Sequence, residues 1–155
     1  MSIKEIKAEV KKGTEKKENK SEQESSKENY TKFRVLVYNN KTILAGKNAT
    51  NNEELVKQAG EDEEVFHTKA SGSPFVNIKG KSGPREIKTA SIFCASKSQD
   101  WRNHHSKVIV HQFKGKDIYK KRGMKIGTFN VRKFKVITVE KQDIKNFIEK
   151  QKLKN

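Results

Sequence analysis

Residues 65–78 read VFHTKASGSPFVNI, and this stretch decides the fold. The β-branched and aromatic side chains at 65–68 and 75–78 predict two short strands. Between these strands, residues 71–74 supply the glycine and the proline that favour a tight loop. The stretch therefore predicts two strands joined by a short loop that is rich in hydroxyl groups.

Five further runs extend the strand pattern outward from this stretch. The first two are separated by Asn39-Asn40-Lys41 and predict a hairpin, because Asn tolerates the left-handed backbone of tight turns. The other three lie in the second half of the chain. The five predicted strands are residues 33–38, 42–45, 107–113, 125–131 and 134–139.

Two helices are predicted between the strands. Asn51 and Asn52 indicate the start of a helix that ends at Gly60, because Asn suits the N-cap and glycine the C-cap. Pro84 fits the first position of a second helix that reaches about Ser98. The apolar residues of this second helix recur on one narrow face, which we expect to be buried.

A third helix is predicted near the end of the chain, with Asp143 as its cap. Its apolar stripe consists of Ile144, Phe147, Ile148 and Leu153. About seven mostly antiparallel strands with two to three helices indicate an α+β (mixed α/β) single domain.

The first 29 residues differ in composition from the rest of the chain. Up to Glu28 they are nearly all Lys, Glu, Ser, Gln and Asn, with eight Lys and seven Glu. Such a segment cannot bury enough apolar surface to offset the entropy of ordering it. We therefore expect a disordered tail at 1–29 and one folded domain at 30–155.

A single cysteine, Cys94, excludes an internal disulfide and any zinc site that needs two thiolates. Its place on the apolar face of the second helix indicates a buried thiol in the core. The sequence has no apolar run of membrane-spanning length and no apolar core of a secretory signal. We expect a cytoplasmic protein with no membrane contact, no metal and no cofactor.

The positive charge of the chain is concentrated in one part. Residues 81–135 contain fifteen basic and three acidic residues, a net +12 of the formal +16. The same part holds the single Trp and three of the four His. A positive field on a folded surface attracts polyanions, and the commonest polyanion in a cell is nucleic acid.

His67 and the loop that follows it form the first candidate site. His67 lies on a predicted strand beside Ser71, Gly72 and Ser73, so its ring is placed to hold the loop or to contact a phosphate or ribose. The backbone N–H groups and hydroxyls of the loop suit a phosphate. The alternative is an ordinary turn between two strands.

Trp101 and Arg102 form the second candidate site. The indole suits stacking on a base, with Arg102 beside it on the backbone of the nucleic acid. The alternative is a Trp that covers the edge of the core. The adjacent pair His104-His105 does not predict a metal site, because neighbouring side chains on a strand point to opposite faces.

The densest basic cluster lies in a predicted loop. Its nearest acid in the sequence is Asp117, so we expect these cations to contact phosphates, and a solvated loop is the alternative. The cluster and the basic pair that follows it are Lys120, Lys121, Arg122, Lys125, Arg132 and Lys133.

Four segments, in their order and spacing, resemble the NFACT-R domain family. They read GKNATNNEELV at 46–56, DEEVFH at 62–67, SGSPFVNI at 71–78 and IGTFNVR at 126–132. The residues that match the family motifs are Gly46, Asn52, Asp62, His67, Ser71, Gly72, Ser73 and Gly127.

The NFACT-R domain is the RNA-binding domain of large ribosome-associated quality-control factors, where it takes part in holding tRNA at the large ribosomal subunit. The resemblance implies a stand-alone NFACT-R domain that binds tRNA or ribosomal RNA, with the large ribosomal subunit as a partner. The peptide-tailing activity of those factors is not carried over.

The chain is expected to bind rather than to catalyse, because it has no P-loop, no nucleotide-binding glycine fingerprint and no paired carboxylates. One alternative is a DNA-binding or protein-interaction adaptor on the same fold. A further alternative is a nuclease that uses His67 or His104 as a general base.

Overall fold

The architecture comes from a computed structural model that describes residues 30–154. The chain divides at Lys32, and all the elements below belong to the unit Phe33–Asn155. The tail predicted at 1–29 lies outside the described residues, so the domain boundary stays a prediction. No helix within residues 30–154 is long and apolar enough to cross a bilayer.

Six strands form one antiparallel sheet in the order β1-β2-β4-β3-β5-β8, and β6 and β7 form a separate two-stranded ribbon. The strands are β1 Arg34–Tyr38, β2 Lys41–Ala45, β3 Glu64–Thr68, β4 Val76–Ile78, β5 Val108–Lys114, β6 Ile118–Tyr119, β7 Asn130–Val131 and β8 Lys135–Val139. The predicted α+β class with antiparallel strands is confirmed. The hairpin turn between β1 and β2 is confirmed too, with Asn39 and Asn40 at φ 51° and 63°.

Four helices are present within the described residues: α1 Ala49–Gln58, α2 Pro84–Ser96, α3 Gln99–His104 and α4 Lys141–Lys154. Helix α2 packs on one face of the sheet against fully buried strand residues such as Phe66 and Val110. Each side chain of this size contributes about 1.5–3 kcal/mol by burial. Cys94 lies inside this core, and burial raises the pKa of its thiol to about 12.

The helix boundaries predicted from asparagine and glycine are partly wrong. Helix α1 begins after Asn48, whose side-chain Oδ1 accepts from the backbone N–H of Asn51 at 2.9 Å. Asn51 and Asn52 are buried inside the helix. The Asn51 side chain accepts from the nearby Lys47 N–H, and the Asn52 side chain accepts from the distant Phe75 N–H. The C-cap is Ala59 with an extended backbone, so Gly60 does not end the helix in a left-handed turn. Leu153, predicted on the stripe of α4, is 86% exposed.

Two further strand predictions failed, one because a helix cap forms and the other because a glycine interrupts the strand. Ser98 starts the short helix α3 by accepting from the backbone N–H of Trp101 at 3.1 Å, so His104 lies on a helix rather than a strand. The strand predicted at 125–131 is reduced to the two residues of β7. Gly127 has φ +79°, which interrupts an extended backbone, and the N–H of Thr128 closes a turn onto the Lys125 carbonyl at 3.1 Å.

Candidate nucleic-acid interface

The sheet face opposite α2 is only partly covered. Alternation along the strands turns Leu44 and Val65 to this face, and both are fully buried. Beyond these buried residues the face is open. There His67 of β3 lies opposite His111 of β5, and both side chains border a cleft. The cleft has a volume of about 690 Å³.

Segments far apart in the sequence build this cleft. One wall is the connection from β2 into α1, and another is the loop between β3 and β4. The segment 126–134 closes a third side, and Lys97 and Arg102 reach the cleft from the ends of α2 and α3.

The walls of the cleft carry cations and no acids among the described residues. Five basic side chains line it, and none forms an ion pair with an acid within residues 30–154. No described acid therefore neutralises their field by an ion pair, which favours a bound anion. The five are Arg34, Lys47, Lys69, Lys97 and Arg102.

Two of these cations are oriented by hydrogen bonds to the backbone. The Arg34 guanidinium donates to the Gly46 carbonyl, and Arg102 donates to the Lys97 carbonyl at 3.1 Å. Arg102 also donates to the side-chain oxygen of Gln99 at 2.9 Å. Burial, and then the charge of Arg34, lower the pKa of Lys97, because both disfavour its ammonium form. An anion placed between them would relieve this repulsion.

Aromatic side chains form the floor of the cleft. Phe75 is only 4% exposed, and its ring contacts those of His67 and Phe129 at centroid distances of 4.5 and 5.5 Å. At the rim, Phe134 stacks on His111 at 3.9 Å, and it remains 49% exposed. The cleft therefore joins an apolar floor to cationic walls.

Both histidines of the cleft favour their neutral form. Burial lowers the pKa of His67, although hydrogen bonds to the backbone at Thr68 and Ser73 offset part of that effect. Its Nδ1 lies 2.8 Å from the Thr68 carbonyl oxygen. Burial, and then the charge of Lys69, lower the pKa of His111. Because the Thr68 carbonyl can only accept, the neutral His67 ring donates through Nδ1 and keeps Nε2 as an acceptor for an uncharged group.

The loop after β3 is held by its own hydroxyl and glycine. Ser73 Oγ accepts from the backbone N–H of Thr68 at 3.1 Å. Gly72 has φ +89°, and its carbonyl accepts from the backbone N–H of Gln99 at 2.8 Å. The loop is thus tied to α3, and this bond fixes Arg102 relative to the β3 strand.

Gly46 and Asn52 fix the wall between β2 and α1. The side chain of Asn52 lies so close to Gly46 that an added Cβ would meet its Oδ1 at 1.9 Å. That same Oδ1 accepts from the backbone N–H of Phe75 at 3.1 Å. Glycine at 46 therefore leaves room for the Asn52 amide, which joins α1 to Phe75 in the floor of the cleft.

Gly127 fixes the opposite wall against the start of α1. A Cβ at Gly127 would lie 2.7 Å from the carbonyl oxygen of Ala49, and its N–H donates to Glu53 at 2.6 Å. Glu53 also accepts from the Lys120 ammonium at 2.7 Å. Burial alone would raise the pKa of Glu53, but Lys120 and Gly127 hold it below its usual value.

Comparison with known proteins decides the family. Residues 29–133, more than half of the chain, match the sequence model of the NFACT protein RNA binding domain. The chain belongs to the NFACT RNA-binding domain family. The resemblance inferred from the sequence motifs is confirmed, and the matched range contains all five cations of the cleft.

Two proteins from other organisms are similar to this chain. The archaeal Rqc2 homolog aRqcH of Methanocaldococcus jannaschii is 33% identical over 95 residues, which are 59% of this chain and 14% of the relative. The solved C-terminal part of the fibronectin/fibrinogen-binding protein of Streptococcus suis is 30% identical with a TM-score of 0.63. That similarity covers 74% of this chain and 47% of the solved one, so the chain spans less than half of either relative.

The motif residues of this NFACT-R domain converge on the cleft. Asp62 is the exception, since its side chain is 87% exposed and lies 3.6 Å from Lys116. The motif residues that line the cleft are Gly46, Asn52, His67, Ser71, Gly72, Ser73 and Gly127.

The basic residues predicted from the sequence divide into several groups. Arg102 lines the cleft. Lys120 does not act as a free cation, because its ammonium pairs with Glu53 and lies 4.5 Å from the centre of the Phe129 ring. Arg132 is exposed and covers the Tyr119 ring at 4.7 Å. The rest are exposed beside the cleft wall: Lys121, Arg122, Lys125 and Lys133.

Trp101 requires a correction. It is 6% exposed and belongs to the core under the sheet, with its ring 5.0 Å from that of His105. An indole covered in this way has no free face for a base, so the predicted stacking role is wrong and the core alternative holds. Its neighbour Arg102 is exposed because successive residues on a helix point in different directions.

Sequence reasoning missed four of the five cleft cations. Each stands alone in its own segment, so no local run of charge marked it. The available signal was position: Lys47 and Lys69 each lie within or beside a family motif. The missed residues are Arg34, Lys47, Lys69 and Lys97.

Proposed function

We propose that this NFACT-R domain binds structured RNA of the translation machinery, either tRNA or ribosomal RNA, through the cationic cleft. The observation that carries the proposal is a set of five cations that form no ion pair with a described acid, around a cleft that also holds seven family-motif residues. Cations of this kind position a protein on phosphates by charge. The exposed cations at 121–125 extend the positive surface beyond the cleft.

The cellular setting is proposed from the relatives. The relative aRqcH is an Rqc2 homolog, so we propose for this domain a role in ribosome-associated quality control in the cytoplasm, with the large ribosomal subunit as its partner. RNA is favoured over DNA because the matching family model describes an RNA-binding domain, and the 2′-hydroxyl lets a protein distinguish the two. A domain that binds in this way requires no catalytic residue.

A second candidate is a protein-interaction adaptor. The Streptococcus suis relative is named a fibronectin/fibrinogen-binding protein, and it is 30% identical to this chain over the matched region. Binding to a protein partner would use contacts that do not depend on phosphate.

One titration separates these candidates. The full chain is mixed with a labelled RNA hairpin, the DNA hairpin of the same sequence, and fibronectin, over a range of salt concentrations. With about four to six phosphates engaged, the logarithm of RNA affinity should fall against the logarithm of salt with a slope of about −3 to −5. Weaker binding to DNA supports RNA recognition, and a slope near zero with binding to fibronectin supports the adaptor.

A further inference from the structure

The rim of the cleft exposes apolar surface that the core does not require. Phe134 and Ile126 both line the cleft and are 49% and 58% exposed. One face of Phe134 is already covered by His111, with an interplanar angle of 16°. The other face of the ring is available to a flat ligand.

The size and chemistry of the cleft restrict what can occupy it. A volume of about 690 Å³ lies in the range that takes one drug-sized molecule, and it is far too small for a duplex. The cations Arg34, Lys97 and Arg102 in its walls suit a phosphate, and the Phe134 ring at its rim suits a planar apolar group. A nucleoside phosphate combines both features in one molecule.

We infer that the cleft receives a single unpaired nucleotide of the bound RNA, with its base on Phe134 and its phosphate at the Arg34, Lys97 and Arg102 cations. This inference rests on the proposed RNA binding and names the part of the RNA that the cleft recognises. Bases inside a helix are stacked on their neighbours, so only a bulged, looped or terminal nucleotide can offer a free face.

The histidines fit this assignment. His67 and His111 face the same cleft from adjacent strands. Both have lowered pKa values and are neutral at pH 7. Neutral rings offer hydrogen bonds to the edge of a base without adding a further site for phosphate.

The expected gain from stacking sets the size of the effect. Stacking of one base on an aromatic side chain is worth about 5- to 150-fold in affinity. An RNA with one accessible unpaired nucleotide should therefore bind about tenfold more tightly than its fully paired counterpart.

The test compares two RNA hairpins that differ by one bulged nucleotide, with the fluorescent base 2-aminopurine at the bulge. They are titrated with the wild-type chain, with Phe134→Ala, and with the matched control Val136→Ala. Val136 is likewise an exposed apolar residue, at 61%, and it does not line the cleft. Thermal unfolding of each variant checks that it is folded.

The inference predicts that wild type and Val136→Ala prefer the bulged hairpin about tenfold and change its fluorescence, while Phe134→Ala binds both hairpins equally. Phe134→Tyr should keep the preference, because it retains the ring. A preference that is absent from wild type, or that survives in Phe134→Ala, overturns the inference and leaves the proposed function intact. If neither hairpin binds, the proposed function itself fails.

A second arm separates an RNA nucleotide from a free one. Adenosine monophosphate is added to the wild-type complex as a competitor at millimolar concentration. Displacement of the bulged hairpin, with little effect on the paired one, supports the same cleft for both. Tight binding of the mononucleotide without any preference for the bulge would make the cleft a free-nucleotide site and overturn the assignment to RNA.

Discussion

Two groups of cations in this NFACT-R domain differ in how the fold treats them. The loop group, Lys120–Lys125, is contiguous in the sequence, and one of its members is taken up by Glu53 in a structural contact. The cleft group is scattered over residues 34–102, yet the fold brings its members around one cavity with no described acid among them. A dense run of charge is therefore not the same as a concentrated field, because the field depends on distance in space.

The largest expected effect separates the two groups directly. Changing Lys47, Lys69 and Lys97 to Ser should weaken RNA binding about 100-fold in 0.1 M salt, since each lost phosphate contact removes about fivefold. Changing Lys121, Arg122 and Lys125 to Ser removes the same charge from the loop and should cost about fivefold. Fluorescence anisotropy at fixed salt measures both. Equal losses would mean that net charge alone controls binding and that the cleft is not a specific site.

Two glycines test whether the loop that carries Lys120–Lys125 is anchored at only one of its ends. Gly127 and Gly123 both have positive φ, at +79° and +85°, but only Gly127 lies against the α1 backbone. Gly127→Ala should lower the free energy of unfolding by about 2 kcal/mol or more, through strain and overlap. Gly123→Ala should cost about 1 kcal/mol, from the strained φ alone. Urea unfolding gives both values, and similar losses would show that the contact with Ala49 is unimportant.

The carboxylate that joins the loop to the cleft wall should have a smaller effect. Glu53→Gln keeps an acceptor but loses the charge opposite Lys120, and should cost about 1 kcal/mol of unfolding free energy. Because the pKa of Glu53 is lowered in the fold, its stabilisation is present above pH 4.5 and is lost as the pH falls through the lowered value. The exposed Glu61→Gln is the control, with an expected change below about 0.5 kcal/mol. Equal losses of unfolding free energy in Glu53→Gln and Glu61→Gln would show that the contact between Glu53 and Lys120 does not stabilise the fold.

The smallest expected effect is a pH dependence of stability between pH 7.5 and about 5.5 that arises in the cleft. Burial lowers the pKa of His67, so the unfolded chain binds a proton more readily than the folded one. Stability should be full above pH 6.5 and should decline as the pH falls towards the lowered value. Urea unfolding between pH 7.5 and about 5.5 should show a shallower decline in His67→Gln than in wild type. His104→Gln, on the exposed surface of α3, should follow wild type. If the unfolding free energy of His67→Gln declines with the same slope as that of wild type, groups other than His67 cause the decline.

Much of the fold could be predicted because its signals are local. Alternation and β-branched residues marked six of the predicted strands, and the turn chemistry of Asn39 and Asn40 marked the hairpin. The strand prediction failed where one run of residues suits both a strand and a turn. The run at 125–131 has apolar residues suited to a strand, but Gly127 is drawn against α1 by Glu53, a contact between distant residues.

The sequence predicted the motif residues of the cleft but missed most of its cations. Glycines such as Gly46 and Gly127 serve close contacts that only a residue without a side chain permits, so they appear in the sequence as recognisable motifs. Trp101 was misjudged because its burial depends on how the short helix α3 closes onto the core, which no neighbouring residue reveals.

The sequence by itself determined the α+β class, the family, the buried position of Cys94 and the excess of positive charge, because each follows from composition, periodicity or motif. Only the tertiary structure decided which cations act together. Arg34 and Lys97 are 63 positions apart in the sequence, yet the charge of Arg34 lowers the pKa of Lys97 in the folded chain. Electrostatic interaction depends on separation in space and on the dielectric around the charges, and both are set by folding rather than by order along the chain.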